Sequence, residues 1–212
     1  MSADFMENTV LITQIDGKKE FVVKNGENKT YVIFPEKGKN HEGSVSIAIE
    51  GKNAKVQILG LVLASENQKI NLYTLQKHQG EQSVSDLLVK TVLFGNSRFY
   101  FDGLIKIEKK AQKSNAYQKN QNILMSDKAW ADSRPKLEIL ANDVRCTHGA
   151  TIGKIDQTML YYLESRGLSK EKSESLILEG FFREVINRIP DKQIAEKISK
   201  DLNNKIKENL MN

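Results

Sequence analysis

The chain has 212 residues, 39% hydrophobic and 28% charged, which is enough to bury a real core in one or two domains. Its 32 Lys and Arg against 27 Asp and Glu give a net charge of +5, but the two signs alternate along the whole chain and aromatics are only 7%, which argues against a basic patch or stacking platform for nucleic acid. One cysteine excludes an intramolecular disulfide, and no stretch approaches the roughly 18 apolar residues of a membrane helix, so a reducing, cytoplasmic setting without membrane is expected.

The start, from Met1 to Asn8, lacks a basic region followed by an apolar core, so no signal peptide is expected. From there to about residue 150 the chain reads as short strands. Val10 and Ile12 alternate with polar neighbours, as do Val45, Ile47 and Ile49, then Val56 and Ile58, then Ile70 and Leu72. Phe99 and Phe101, Ile105 and Ile107, and Leu137 and Ile139 continue the pattern. A period of two puts one face in a core and the other in water. Asn25-Gly26, His41 to Gly43, Glu50 to Asn53, Gly95-Asn96 and Asp102-Gly103 read as turns between them. Phe21, Val23, Tyr31 and Ile33 around Asn25-Gly26 suggest a hairpin capping one end. Strands about ten residues apart fit a sandwich, a barrel or a solenoid, and no strict repeat is visible to choose among them.

After Ile155 the period changes. Asp156 is placed to cap a helix through Met159, Leu160 and Leu163 to Arg166, with Gly167 as its stop. Ser169 caps a second, striped by Ile177, Phe181, Val185 and Ile189 and widened by Leu178, Phe182 and Ile186. Pro190 breaks it, and Asp191 caps a third with Ile194, Ile198, Leu202, Ile206 and Leu210 on one side. The apolar surface exceeds what one small bundle must hide, which permits a docking face.

The strand-to-helix change falls beside the run from Pro135 to Asp156, which holds Cys146 and His148. On an extended strand both point to one side, offering a soft thiolate and an imidazole to iron. Two donors do not close a site, because iron–sulfur clusters take four ligands, so a second chain or bound sulfide would complete it. The competing reading makes Cys146 a small buried hydrophobe and His148 a hydrogen-bonded turn residue. Asp143, just upstream, is an oxygen donor and less suited to a cluster. Side by side on one strand, Cys146 and His148 lack the approach of a hydrolytic dyad; the chain also has no Gly-x-Ser-x-Gly elbow, Walker loop or His-Glu-x-x-His motif. His41 and His78 stand alone and read as surface or turn residues.

Several runs carry a resemblance: Phe101 to Ile107, Ala111-Gln112, Gln118 to Met125, Lys136 to Ile139, Cys146 to Gly153, Asp156 to Gly167 and Gly180 to Phe182. Together they resemble the C-terminal core of the SufB/SufD family, scaffold components of an iron–sulfur cluster assembly machine. The likeness begins near His78 and is specific from about residue 97 to 187. The resemblance implies a mainly β fold with an α-helical C-terminus: a right-handed β-helix core over 1–154, then a small helical domain over 155–212. It implies a non-enzymatic scaffold subunit working with a SufC-type ABC ATPase. The β-helix core would pair with itself or with a SufB-like chain, and a transient iron–sulfur cluster would form at that interface near Cys146 and His148. The ATPase would dock on the helices, with Leu160, Tyr161, Leu163, Arg166, Phe181 and Phe182 as the contact residues. Asn120 stands where SufB-type chains carry a cysteine, and Thr147 and Gly149 stand where they flank the histidine with glutamates, so the site is SufD-like. A structural pairing module that holds no cluster is the alternative within the family. A thiol enzyme using Cys146 is the alternative outside it.

Overall fold

The alternating residues form eleven strands in a computed structural model, which describes residues 8–36 and 38–211. The sequence from Met1 to Glu7, and with it most of the signal-peptide reading, lies outside the described residues. The strands are β1 (Thr9–Ile12), β2 (Gly17–Val23), β3 (Asn28–Ile33), β4 (His41–Ile49), β5 (Lys55–Ala64), β6 (Lys69–His78), β7 (Val84–Leu93), β8 (Arg98–Ile107), β9 (Asn115–Leu124), β10 (Trp130–Ile139) and β11 (Arg145–Lys154). Successive strands do not pair with each other. Odd strands build a six-stranded sheet, β1-β3-β5-β7-β9-β11, and even strands a five-stranded one, β10-β8-β6-β4-β2, with every pairing parallel. This is the β-solenoid that the resemblance implies, with about five turns.

The register shows the repeat that the sequence hides. Lys55 lies opposite Val84, 29 residues on; Val84 opposite Asn115, 31 on; Asn115 opposite Arg145, 30 on. Each turn stacks its residues on the last, so Ile58, Leu87, Gln118 and His148 occupy one column. The lumen is filled by Val45, Ile47, Ile49, Val56, Ile58, Leu72, Leu87, Phe99 and Phe101 among others. Each such side chain contributes roughly 1.5–3 kcal/mol by leaving water.

Three turn assignments change. The pair around Asn25-Gly26 is no hairpin: β2 and β3 belong to different sheets, and each takes its backbone partners from the next turn, Phe21 opposite Ile47 and Tyr31 opposite Ile58. Asn25-Gly26 is a solenoid corner, where Gly26 N–H donates to the Lys52 carbonyl at 3.0 Å. His41 to Gly43 and Asp102-Gly103 lie inside β4 and β8. Their glycines serve close approach: a Cβ on Gly43 would fall 1.6 Å from the Ile15 carbonyl oxygen, and one on Gly103 2.6 Å from Gln118 Oε1.

The helices form at the expected caps. Asp156 accepts from the Thr158 and Met159 amides at the start of α1 (Gln157–Ser165), and Ser169 from Lys172 N–H at the start of α2 (Lys170–Ile186). Asp191 does the same for Gln193 and Ile194 at the start of α3 (Lys192–Leu210). α2 and α3 lie on the outside of the six-stranded sheet. Leu178, Phe182, Val185, Ile198, Leu202 and Ile206 share one core with Val32, Leu59, Leu61, Leu63, Leu88 and Val92 from that outer face. Two cations pin the contact: Lys90 bonds Glu184, and Arg188 bonds Asp86. Among the described residues no helix is long and apolar enough to cross a membrane.

Candidate functional site

A solenoid ends badly unless something covers its last turn, because the final strands keep unpaired backbone groups and an open lumen. Short edge strands discourage added pairing, and the last turn here has long ones. β10 and β11 are both ten residues long, and each has a strand neighbour on one side only. Leu137, Ile139 and Ile152 stack on lumen residues yet are 38%, 40% and 47% exposed. The helices leave this end uncovered, since the chain turns away at Asp156 to the outside of the sheet.

β11 carries Cys146 and His148. Cys146 stacks on Ala116 and His148 on Gln118, both buried in the lumen, so the two donors face the same side. Cys146 is half-buried and packs against the cluster of Ile105, Ile107, Ala111, Ala116 and Ala141. That burial pushes the thiol above its ordinary value, so it is protonated at neutral pH and a weak ligand until a cation or metal arrives. His148 is exposed, and Asp143 sits exposed in the corner before the strand. Among the described residues no three or more His, Cys, Asp or Glu gather to hold a metal ion, so Cys146 and His148 make a partial donor set. The remaining ligands of a cluster would have to come from outside the chain.

The other two histidines are internal struts rather than surface or turn residues. His41 lies 3.0 Å from Asp16 Oδ2 and 3.2 Å from the Glu36 carbonyl. His78 is fully buried between the hydroxyls of Ser83 and Ser85, each at 2.7 Å, and burial lowers its pKa to about 4. His41 ties its strand back to Asp16 in the preceding turn, while His78 braces the corner between β6 and β7, roles that two isolated histidines in a sequence do not announce.

The residues assigned to partner docking divide. Leu160 and Phe182 are buried, so they support the helices from within. Leu163 and Phe181 are half-buried, while Tyr161 and Arg166 are exposed, with the Arg166 guanidinium 5.1 Å from the Tyr162 ring centre. Leu163 and Phe181 line an apolar groove of about 630 Å3 between α1, α2 and the end of β9. Sequence reasoning missed Tyr162 and Leu176, which line it too and are 55% and 49% exposed. The signal was present in α1, where Met159 and Tyr162 form an apolar pair off the buried Leu160 side.

A parallel solenoid with an uncovered last turn, a thiol and an imidazole side by side on its last strand and an apolar groove beside it matches a known group. The SUF system FeS cluster assembly SufBD core domain matches residues 17–181. The iron–sulfur cluster assembly protein SufD of Escherichia coli (strain K12) is 32% identical over 155 residues, covering 73% of this chain and 37% of that protein. The SufD of Bacillus subtilis (strain 168) is 34% identical over 147 residues, covering 69% and 34%. A SufBD family protein of Synechocystis is 29% identical over 151 residues, covering 71% and 32%. The chain belongs to the SufBD core family of iron–sulfur cluster assembly proteins. It spans about a third of the length of these relatives.

Proposed function

We propose that the protein is a scaffold subunit for iron–sulfur cluster assembly that carries out no catalytic step itself. The cluster is its cargo. The observation that carries this reading is the open solenoid end, where two long unpaired strand edges, exposed lumen residues and the Cys146–His148 pair coincide. A partner strand added there would satisfy the free backbone groups, cover Leu137, Ile139 and Ile152, and bring further donors to Cys146 and His148. The partner is a second copy or a SufB-like chain. The groove around Tyr162, Leu163, Leu176 and Phe181 receives a SufC-type ABC ATPase, and the exposed Tyr161 and Arg166 add to the contact. The setting is the cytoplasm.

Anaerobic reconstitution with iron and sulfide tests the donors. The paired chain should develop visible charge-transfer absorbance that a Cys146→Ala/His148→Ala double variant loses while its far-UV circular dichroism stays the same. Absorbance equal in the two proteins would remove the ligand claim. One observation favours the family's alternative, a pairing module without a cluster: Cys146 packs against the apolar cluster of Ile105, Ile107, Ala111, Ala116 and Ala141, and that burial raises its thiol pKa and disfavours the thiolate. That alternative predicts pairing with no absorbance in either protein.

A further inference from the structure

Lysine is rarely buried without a reason, and Lys90 is 4% exposed. It stands on the outer face of β7. Its Nζ donates to the Phe181 carbonyl at 2.8 Å, pairs with Glu184 Oε2 at 2.5 Å and lies 4.4 Å from the Phe181 ring centre. Two of these contacts are to Phe181, which lines the apolar groove, and Glu184 lies three residues further along α2. On the lumen side of the same sheet, Asn120 and Asn122 are 0% and 3% exposed and stack on Val89 and Thr91 of the preceding turn. Asn120 Nδ2 donates to the Val89 carbonyl at 3.2 Å, the oxygen of the peptide group that joins Val89 to Lys90. Asn122 Nδ2 donates to Asn120 Oδ1 at 2.7 Å and to the Thr151 carbonyl at 3.0 Å. Thr151 is in β11, three residues from His148.

We infer that Lys90, Asn120 and Asn122 are positioning residues: they brace β11 to the groove through the six-stranded sheet, so that the helices set where the Cys146–His148 strand lies. The inference rests on the reading above that groove and β11 are working surfaces. Its physical basis is direction. Leucine or valine would fill the Asn120 and Asn122 positions at lower desolvation cost, the more so because Asn122 Oδ1 is buried without a partner, but apolar contact does not fix a backbone along its length, whereas directed bonds to backbone carbonyls do. β11 needs such fixing because it has a ladder on one side only. The chain of bonds also runs without a gap from the groove wall to β11, so displacement of Phe181 is felt at Thr151 through three side chains.

The test uses the whole chain without any partner. Residue-resolved amide exchange is measured over β11, with β5 as control, for wild type, Lys90→Met, Asn122→Leu and the double variant. Methionine keeps the lysine's length and its contact with the Phe181 ring. Each single change should speed exchange in β11 by roughly five-fold, the scale of one net hydrogen bond, and leave β5 unchanged. The double variant should exchange no faster than Asn122→Leu alone, because Lys90 acts through Asn122. Multiplying effects, a silent Lys90→Met at β11, or an equal rise in β5 would each overturn the brace. If Asn122→Leu does not fold, Asn122→Thr takes its place with the same expected pattern. Failure of the ATPase to bind would leave this result standing, so the two readings fail separately.

Discussion

His78 ties the pH response to the fold. Its ring sits between Ser83 and Ser85 with no charged neighbour, and burial holds its pKa near 4 against an ordinary 6.5. Between these values the unfolded chain binds a proton that the folded chain refuses, so stability falls as pH drops through that window. The loss attributable to His78 should reach about 3 kcal/mol by pH 4. Urea unfolding of wild type and His78→Gln at pH 7, 6, 5 and 4 checks this: the difference between the two proteins should shrink on acidification, and a constant difference would contradict it. Cys146 makes an opposite kind of prediction. Its thiol is pushed above the usual value of 9.0, so iodoacetamide should react slowly at pH 7 and faster only in alkaline buffer. Rapid alkylation at pH 7 would mean an activated thiolate and would revive a thiol enzyme.

Helices and strand edges divide the work between stability and contact. Phe182 is 1% exposed in the core that α2 and α3 share with the sheet, so Phe182→Ala should cost about 3–5 kcal/mol in denaturant unfolding. Tyr162 is 55% exposed, so Tyr162→Ala should change stability by no more than about 0.5 kcal/mol yet weaken ATPase binding by titration calorimetry. Equal ATPase affinity in that variant would move docking elsewhere on the helices. Ile139 is 40% exposed at the open end, and Ile139→Lys should leave the melting temperature within a few degrees while abolishing pairing, as read by sedimentation. The helices were legible because their caps and stripes are local: Asp156, Ser169 and Asp191 act within three residues of their own positions. The corners were less so. His41 to Gly43 and Asp102-Gly103 look like turns, but Gly43 answers to Ile15 in the preceding turn and Gly103 to Gln118 across the lumen.

Across the whole molecule, period two announced strands but not how they stack. A solenoid needs the same place filled in each turn, not the same residue, and one column here runs Ile58, Leu87, Gln118, His148. That hides from any reading by eye a repeat of 29 to 31 residues running from β5 to β11. The shared side of Cys146 and His148 was legible because they lie two residues apart on one strand. The groove and the Lys90 brace were not, since a lone lysine between apolar residues gives no sign that a helix 91 residues away will bury it. The uncovered end emerges only when the sheets are assembled, because it is defined by strands that have no next turn. It is also where the proposed function is concentrated: partner strand, cargo donors and the braced strand meet there.

The most direct measurement is the mass, by light scattering, of whatever co-purifies anaerobically when this chain is co-expressed with a SufC-type ATPase and a SufB-like chain. The scaffold account predicts a stoichiometric assembly containing the ATPase and two SufBD-type cores, which Ile139→Lys splits into single cores that still hold ATPase. A monomer that captures neither protein would contradict it.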